Sequence, residues 1–272
     1  MTEYSILMSV YYKEKPEYFR AAIQSMIDQT KKSNDFVIVC DGPLTDELEK
    51  VLLWAKDTLR EGLQIVRLSQ NCGLGSALNA GLERVKNELV ARMDSDDVSL
   101  ENRCEMQLNA FEEHPEISVM SGTVEEFTDN VENITARRVL PEKHAEILAF
   151  SKMRNPFNHP CVMFKKSAVE RAGGYQDMHF LEDYYLWVRM LLNGEKGMNL
   201  KIPLLRMRAG FDMYRRRGGV KYAVMQIRLF SFMRKNGMIS RMQFLKNACV
   251  RICSALIPAR VRQYLFIKLL RK

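Results

Sequence analysis

The chain has 272 residues, 47% hydrophobic and 27% charged, enough for one large domain or one domain with a small appendage around a real core. Six cysteines make no C-x-x-C pair and no zinc-type grouping with the four histidines. The opening MTEYSILMSVYYKEKPE turns polar after Tyr12, so neither a structural metal nor a secretory signal is expected and the active region is placed in the cytoplasm. The net charge of +8 is unevenly spread: residues 201–272 carry 18 Lys+Arg against one acid, Asp212, and the preceding part carries 23 against 32. A mildly acidic catalytic or binding part is thus followed by a basic tail suited to phosphate, on a nucleic acid or at an anionic membrane.

Tyr4 to Tyr12 is apolar and β-rich, and Pro16 opens a helical pattern to Gln29 with Phe19, Ile23, Met26 and Ile27 on one stripe. DFVIVCDGP is an apolar run ending in Asp41 and a Gly-Pro turn. A helix from Thr45 to Leu59 follows, with Thr45 as N-cap and Leu48, Val51, Leu52 and Ala55 inward. Leu63 to Ser69 predicts a third strand, QNCGLG leads into a short helix through Val85, ELVARM predicts a fourth strand, and Leu100 to Glu113 a helix. This alternation predicts a mostly parallel α/β sheet, with Asp41, Asn71 and the acids after Met93 at carboxyl ends of strands, where such sheets bind ligands.

After Pro115, ISVMSGTVEEF and ITARRVL look like antiparallel strands, followed by a helix at Lys143 to Met153. FLEDYYLWVRMLLNG begins with acids and becomes a helix with Tyr185, Leu186, Met190 and Leu191 toward a core, and MNLKIPLLRMR predicts a closing strand. The tail predicts helices at Val220 to Asn236 and Ser240 to Ile257 and a last piece from Arg260. In the second helix Phe244, Leu245, Ala248, Cys249, Ile252 and Leu256 share a stripe, and Cys249 and Cys253, one turn apart, are expected as buried thiols. No run reaches the roughly 18 to 20 apolar residues of a membrane span, so the tail is expected to lie on a membrane and not to cross it.

The segment ARMDSDD packs Asp94, Asp96 and Asp97 into four positions, where their repulsion needs compensation. In an extended segment Asp94 and Asp96 point to one side, an oxygen-only pair suited to Mg2+ or Mn2+ shared with a phosphate. Alternatively, Asp97 caps the helix near Leu100 and the others are solvated loop acids. His159 in NPFNHPC is either a structural residue or a neighbour of the acceptor, and Trp187 suits core packing.

The order ILMSVYY, VIVCDG, ARMDSDD and FLEDYYLW resembles family 2 glycosyltransferases of GT-A fold over about Ser5 to Met207. KEKPE, DGPLTDEL and NCGLGSALNAGL add a resemblance to the subgroup that builds bacterial exopolysaccharide, capsule and O-antigen repeat units. The resemblance implies a Rossmann-like, mostly parallel open sheet with flanking helices: residues 1–205 form the catalytic domain, 1–113 its nucleotide-sugar half and 114–205 its acceptor half, and 206–272 form a basic helical tail. It also implies that Asp41 accepts a hydrogen bond from uracil and that Asn71 and Asn79 touch the nucleotide or hold its loop. Arg92 and Asp94 serve the donor, Asp94 at the ribose or metal, and Asp96 ligates Mn2+ or Mg2+ on the diphosphate. Asp183, beside Glu182, is the general base, unless these two acids only stabilise a helix start. Arg217 in MYRRRGG clamps a diphosphate, unless the triplet is a solvated basic loop.

The expected activity is inverting transfer of a hexose, Glc or Gal, from a UDP-sugar to a lipid-linked polyprenyl diphosphate saccharide at the inner face of the cytoplasmic membrane. The basic amphipathic tail suits that surface better than nucleic acid, because its apolar residues fall in helical stripes and not as stacking residues between bases. Packing of the tail on the catalytic domain, or as a homodimer through the C-terminal helices, is the competing expectation. A nucleotidyltransferase with a similar metal site is the alternative chemistry.

Overall fold

Apolar runs separated by amphipathic helices give the order β1 (Tyr4–Val10), α1 (Pro16–Ile27), β2 (Asp35–Cys40), α2 (Asp46–Leu59), β3 (Leu63–Arg67), α3 (Leu74–Leu82) and β4 (Leu89–Met93) in a computed structural model that describes residues 2–210, 218–257 and 261. Thr45 caps α2 by accepting from the Leu48 N–H, and Leu48, Val51, Leu52 and Ala55 are that helix's buried residues, as the periodicity predicts. A two-residue strand, β5 (Val98–Ser99), precedes α4 (Arg103–Glu113), β6 (Ile117–Phe127) and β7 (Ile134–Arg138). Then come α5 (His144–Ser151), β8 (Met163–Lys165), α6 (Lys166–Arg171), α7 (Glu182–Leu192), β9 (Lys196–Arg208), α8 (Gly219–Lys235) and α9 (Arg241–Leu256).

One mixed sheet runs β3-β2-β1-β4-β8-β6-β9-β5, with β7 on β6. Strands β3, β2, β1 and β4 are parallel, and β8 enters antiparallel against both β4 and β6. The chain proceeds from β1 outward to β3 and then returns to β4 on the other side of β1, so strand order reverses there. The crevice at the carboxyl ends of β1, β2 and β4 follows from that reversal.

Side-chain alternation sends Ile6 and Met8 to the core under α1, α2 and α4, and Leu7 to the core under α3, α7 and α8. Helix α3 lies so close to the sheet that a Cβ at Gly81 would fall on Leu7 and Val39. In α7 it is Tyr184, not Tyr185, that turns fully inward; its hydroxyl donates to the Ser151 carbonyl, while Tyr185 stays half-buried with its ring edge on Phe232. Trp187 is fully buried against Phe157 and Phe164, the core role its position suggests.

The boundary expected after residue 205 falls inside β9, which continues to Arg208, and α8 buries Leu229, Phe230 and Met233 in the same core as Trp187. Helix α9 departs from expectation. It turns Asn247 and Arg251 toward the domain, where they donate to the carbonyls of Lys152 and Met153, and leaves Met242, Leu245 and Ile252 exposed. Cys249 and Cys253 are therefore exposed thiols and not buried ones. Among the described residues no helix is long and apolar enough to cross a membrane.

Gly81→Val should destabilise the chain by about 1 to 3 kcal/mol, the usual cost of overpacking a filled core, and lower the urea midpoint without changing the slope. An unchanged midpoint would show that α3 can move off the sheet at no cost.

Candidate active site

Strand β4 carries Arg92 into the protein and ends at Met93, and the chain then folds back through a tight turn, Asp94 to Asp97, before β5 pairs with β9. The turn replaces the extended segment expected there. It gathers not two but three carboxylates, Asp94, Asp96 and Asp97, with one oxygen of each within 4.8 Å of the others. Asp97 does not cap α4, whose N-cap is Asn102; instead its Oδ1 accepts from the Arg208 N–H at 2.8 Å. Arg208, at the end of β9, also donates from Nε to the Asp96 carbonyl and lies over the ring of Tyr18. On the other side, the Ser95 hydroxyl donates to Glu14 in the loop after β1.

Burial first, then the neighbouring Asp94 and Glu14 charges, pushes the Asp96 carboxyl from the usual 3.8 up to about 7, and burial beside Asp96 raises Asp97 well above the ordinary range. The turn lacks positive charge of its own, and oxygen donors at this spacing suit Mn2+ or Mg2+. Among the described residues, Arg92 is the cation that pairs with a carboxylate of the cluster, whereas the guanidinium of Arg208 reaches the Asp96 carbonyl. Arg92, 1% exposed, donates from Nη2 to Asp94 Oδ1, while its Nε and Nη1 are buried without a partner. Burial opposes the charge on Arg92, but Asp94, Tyr175 and Asp97 more than offset it, so its pKa lies above the ordinary arginine value.

Arg92 also faces the second half of the molecule. Its charge acts on Tyr175, His159 and Asp183. His159 is buried, with Nε2 3.0 Å from the Tyr175 hydroxyl, and burial together with Arg92 holds its pKa well below the ordinary value, so the ring is neutral at pH 7. Asp183, in the first turn of α7, accepts from Asn155 Nδ2 at 2.5 Å. Burial raises its pKa and outweighs the Tyr184 N–H, Asn155, Arg138 and Arg92, so the helix start favours the carboxylate, as the sequence suggests, but does not decide its pKa. Glu182 is likewise raised by burial and by Asp183, and lies against Gly75 at the start of α3.

Asp41 is buried after β2, and its two oxygens accept from the N–H groups of Cys72 and Gly73 at 2.6 and 3.0 Å. Gly42, at φ 89°, lets the chain pass under this loop, since a Cβ there would meet the Asn71 backbone nitrogen at 2.7 Å. Asn71 is exposed and donates to the Asp41 carbonyl. Asn79 spends its amide on the backbone of Tyr175, donating to the carbonyl at 2.7 Å and accepting from the N–H at 2.8 Å, so it holds a loop. Arg217 lies outside the described residues. His159, weighed from the sequence as a structural residue or a neighbour of the acceptor, pairs with Tyr175, whereas Glu14, Arg208 and Tyr175 meet the site through tertiary contacts that spacing does not reveal.

The arrangement joins an acidic turn to a half-buried carboxyl of raised pKa, with the buried guanidinium of Arg92 acting on both. Such a pair of ends suits departure of a phosphorylated group at one and proton removal at the other.

Residues 5–173 match the family model described as glycosyl transferase family 2. The chain is 39% identical to the amylovoran biosynthesis glycosyltransferase AmsE of Erwinia amylovora, over 97% of this chain and 98% of that one. It is 38% identical to the UDP-Gal:alpha-D-GlcNAc-diphosphoundecaprenol beta-1,3-galactosyltransferase of Escherichia coli, over 99% of this chain and 97% of that one. Among solved structures it is similar to the mannosyltransferase PcManGT of Pyrobaculum calidifontis, in complex with GDP-Man and Mn2+, at a TM-score of 0.66 and 15% identity over 98% of this chain and 75% of that one. The mixed α/β architecture is that of GT-A glycosyltransferases.

A carboxyl that holds its proton more tightly folded than unfolded stabilises the fold at low pH and loses that contribution as pH rises through its folded pKa. Without divalent cation, stability should therefore fall between pH 4 and about 7 by way of Asp96, and Asp96→Asn should flatten that decline in urea titrations across pH. The same slope in the variant would remove Asp96 as its source.

Proposed function

The chain belongs to glycosyl transferase family 2 and is a glycosyltransferase of bacterial polysaccharide biosynthesis; from that premise we propose that it is an inverting hexosyltransferase that moves a hexose from a UDP-sugar to a lipid-linked saccharide. The observation that carries the reading is the convergence on Arg92 of the acidic turn and Asp183. The Escherichia coli relative's name specifies UDP-Gal and a diphosphoundecaprenol acceptor, which favours galactose among the hexoses and a polyprenyl diphosphate carrier.

In this reading Asp183 takes the proton of the acceptor hydroxyl while that oxygen attacks the anomeric carbon from the face opposite the diphosphate. The new C–O bond forms as the bond to the leaving oxygen breaks, which inverts the configuration. Burial suits Asp183 to the task, since a base works best when its pKa approaches the working pH. Asn155 fixes the carboxyl's direction, and Glu182 shapes the wall between α7 and α3. The free Nε and Nη1 of Arg92 provide fixed donors for charge that develops on the departing UDP. A bound Mn2+ or Mg2+, held by Asp94 and Asp96 with Asp97 beside them, would supply the positive charge that neutralises the diphosphate. Asp41 braces the loop of Cys72 and Gly73, with lone pairs left for the uracil N–H, and Asn71 stands at its exposed edge. Residues up to 113 thus serve the donor, and residues 114–205 supply Asn155, His159 and Asp183 on the acceptor side.

The exposed apolar face of α9, with Met242, Leu245 and Ile252 beside Arg241 and Lys246, supports peripheral attachment to the anionic inner face of the cytoplasmic membrane. Asn247 and Arg251 meet the domain together with Phe244 and Ala255, so Met242, Leu245 and Ile252 are left for lipid.

UDP titrated calorimetrically with Mn2+ should bind, and EDTA should abolish binding. Asp183→Asn should keep UDP affinity yet lose transfer from UDP-Gal by a factor on the order of 10² to 10⁴, the contribution of a general base. Full transfer by that variant would refute the assignment. Leu245→Glu with Ile252→Glu should weaken cosedimentation with phosphatidylglycerol vesicles by at least about tenfold, and unchanged cosedimentation would exclude α9 as the attachment face.

A further inference from the structure

Between α6 and α7 the chain buries Met178 and Leu181 in the core but turns Phe180, which lies between them, outward at φ 70°. Left-handed backbone is costly for a large aromatic residue, and it falls two and three residues before Glu182 and Asp183. The Phe180 ring lies 3.9 Å from that of His179 and 5.9 Å from that of Tyr222 on α8. His179 and Phe180, with Val220, Lys221, Val224 and Met225, line a groove of about 220 Å³, in which Val220 and Val224 remain 71% and 49% exposed. An ion pair between Asp177 and Arg228 ties the same loop to α8.

Exposed apolar side chains around a concavity mark a surface that receives something apolar. Lys221 is the one charged residue in the lining, and it is cationic. The chain from residue 201 onward carries 18 bases against one acid, so the surroundings favour an anionic partner. The groove is built on α8, which packs against α9, and α9 leaves Met242, Leu245 and Ile252 exposed. An apolar chain joined to an anionic head meets all of these conditions.

We propose that this groove seats the first isoprene units of a prenyl diphosphate, with Lys221 near its diphosphate. The proposal rests on the lipid-linked acceptor reading above and locates that acceptor's carrier on the chain. The strained Phe180 is then a wall of the carrier site placed directly before the base, so the carrier's position sets where the acceptor sugar meets Asp183.

The test is calorimetric titration of the full-length protein with farnesyl diphosphate and with inorganic diphosphate, with UDP titrated separately. Wild type should bind farnesyl diphosphate at least about tenfold tighter than diphosphate, as burial of apolar carbon requires. Val224→Glu and Phe180→Gly should lose that margin, Val224→Leu should keep it, and UDP affinity should be the same in all four proteins. Equal affinity for the two ligands in wild type, or an undiminished margin in Val224→Glu, overturns the proposal. So does a change of oligomeric state in Val224→Glu without loss of farnesyl diphosphate binding, since the groove would then belong to a second copy of the chain. Failure of wild type to bind UDP would sink the donor reading alone and leave the prenyl result to be judged by the same margin.

Discussion

A guanidinium sealed inside a protein has few stable arrangements, and Arg92 uses one of them: it gives one nitrogen to Asp94 and holds two more, buried and unpaired, between the sheet and α7. Leaving buried donors unmatched costs stability, and an isolated buried charge costs more. The fold sustains this because β4 is a central strand, hydrogen-bonded to β1 on one side and β8 on the other, so its backbone cannot give way. A second buried arginine, Arg103, reinforces the strand from below by donating to the carbonyls of Arg92 and Val162. The acidic turn, the neutral His159 and Asp183 all feel the Arg92 charge, with burial the larger influence on each.

The first hundred residues were legible because their signals are local. Continuous apolar runs name the parallel strands, Thr45 names the start of α2, and a 3.6-residue period names the faces of α1 and α2. The conformation of Asp94 to Asp97 was not legible. The turn is held by Arg208, more than a hundred residues later, and by Glu14 through Ser95, and neither partner is visible from the spacing of the acids. The same limit applied to Asp183. A helix start argues for an ionised carboxylate, but its burial comes from the surrounding aromatic core, which only the packed chain reveals.

Helix α9 teaches a different lesson about amphipathic patterns. Periodicity identified an apolar stripe and a polar one, and the usual inference is that the apolar stripe faces the core. Here the apolar stripe divides: Phe244 packs on the core while Leu245 and Ile252 stay exposed, and Asn247 and Arg251 dock beside Phe244 on the carbonyls of Lys152 and Met153.

Helix α3 links the two ends of the site. Its leading loop is bonded to Asp41, its Gly75 lies against Glu182, and its Asn79 is bonded at both amide atoms to the backbone of Tyr175, whose hydroxyl meets His159. The nine residues of α3 therefore behave as a rigid strut between nucleotide and acceptor. A donor that shifts the loop of Cys72 and Gly73 by a fraction of an ångström would press on the Tyr175 turn at the far end. In the proposed reading the two substrates need not touch, since occupancy on one side would become a mechanical condition on the other.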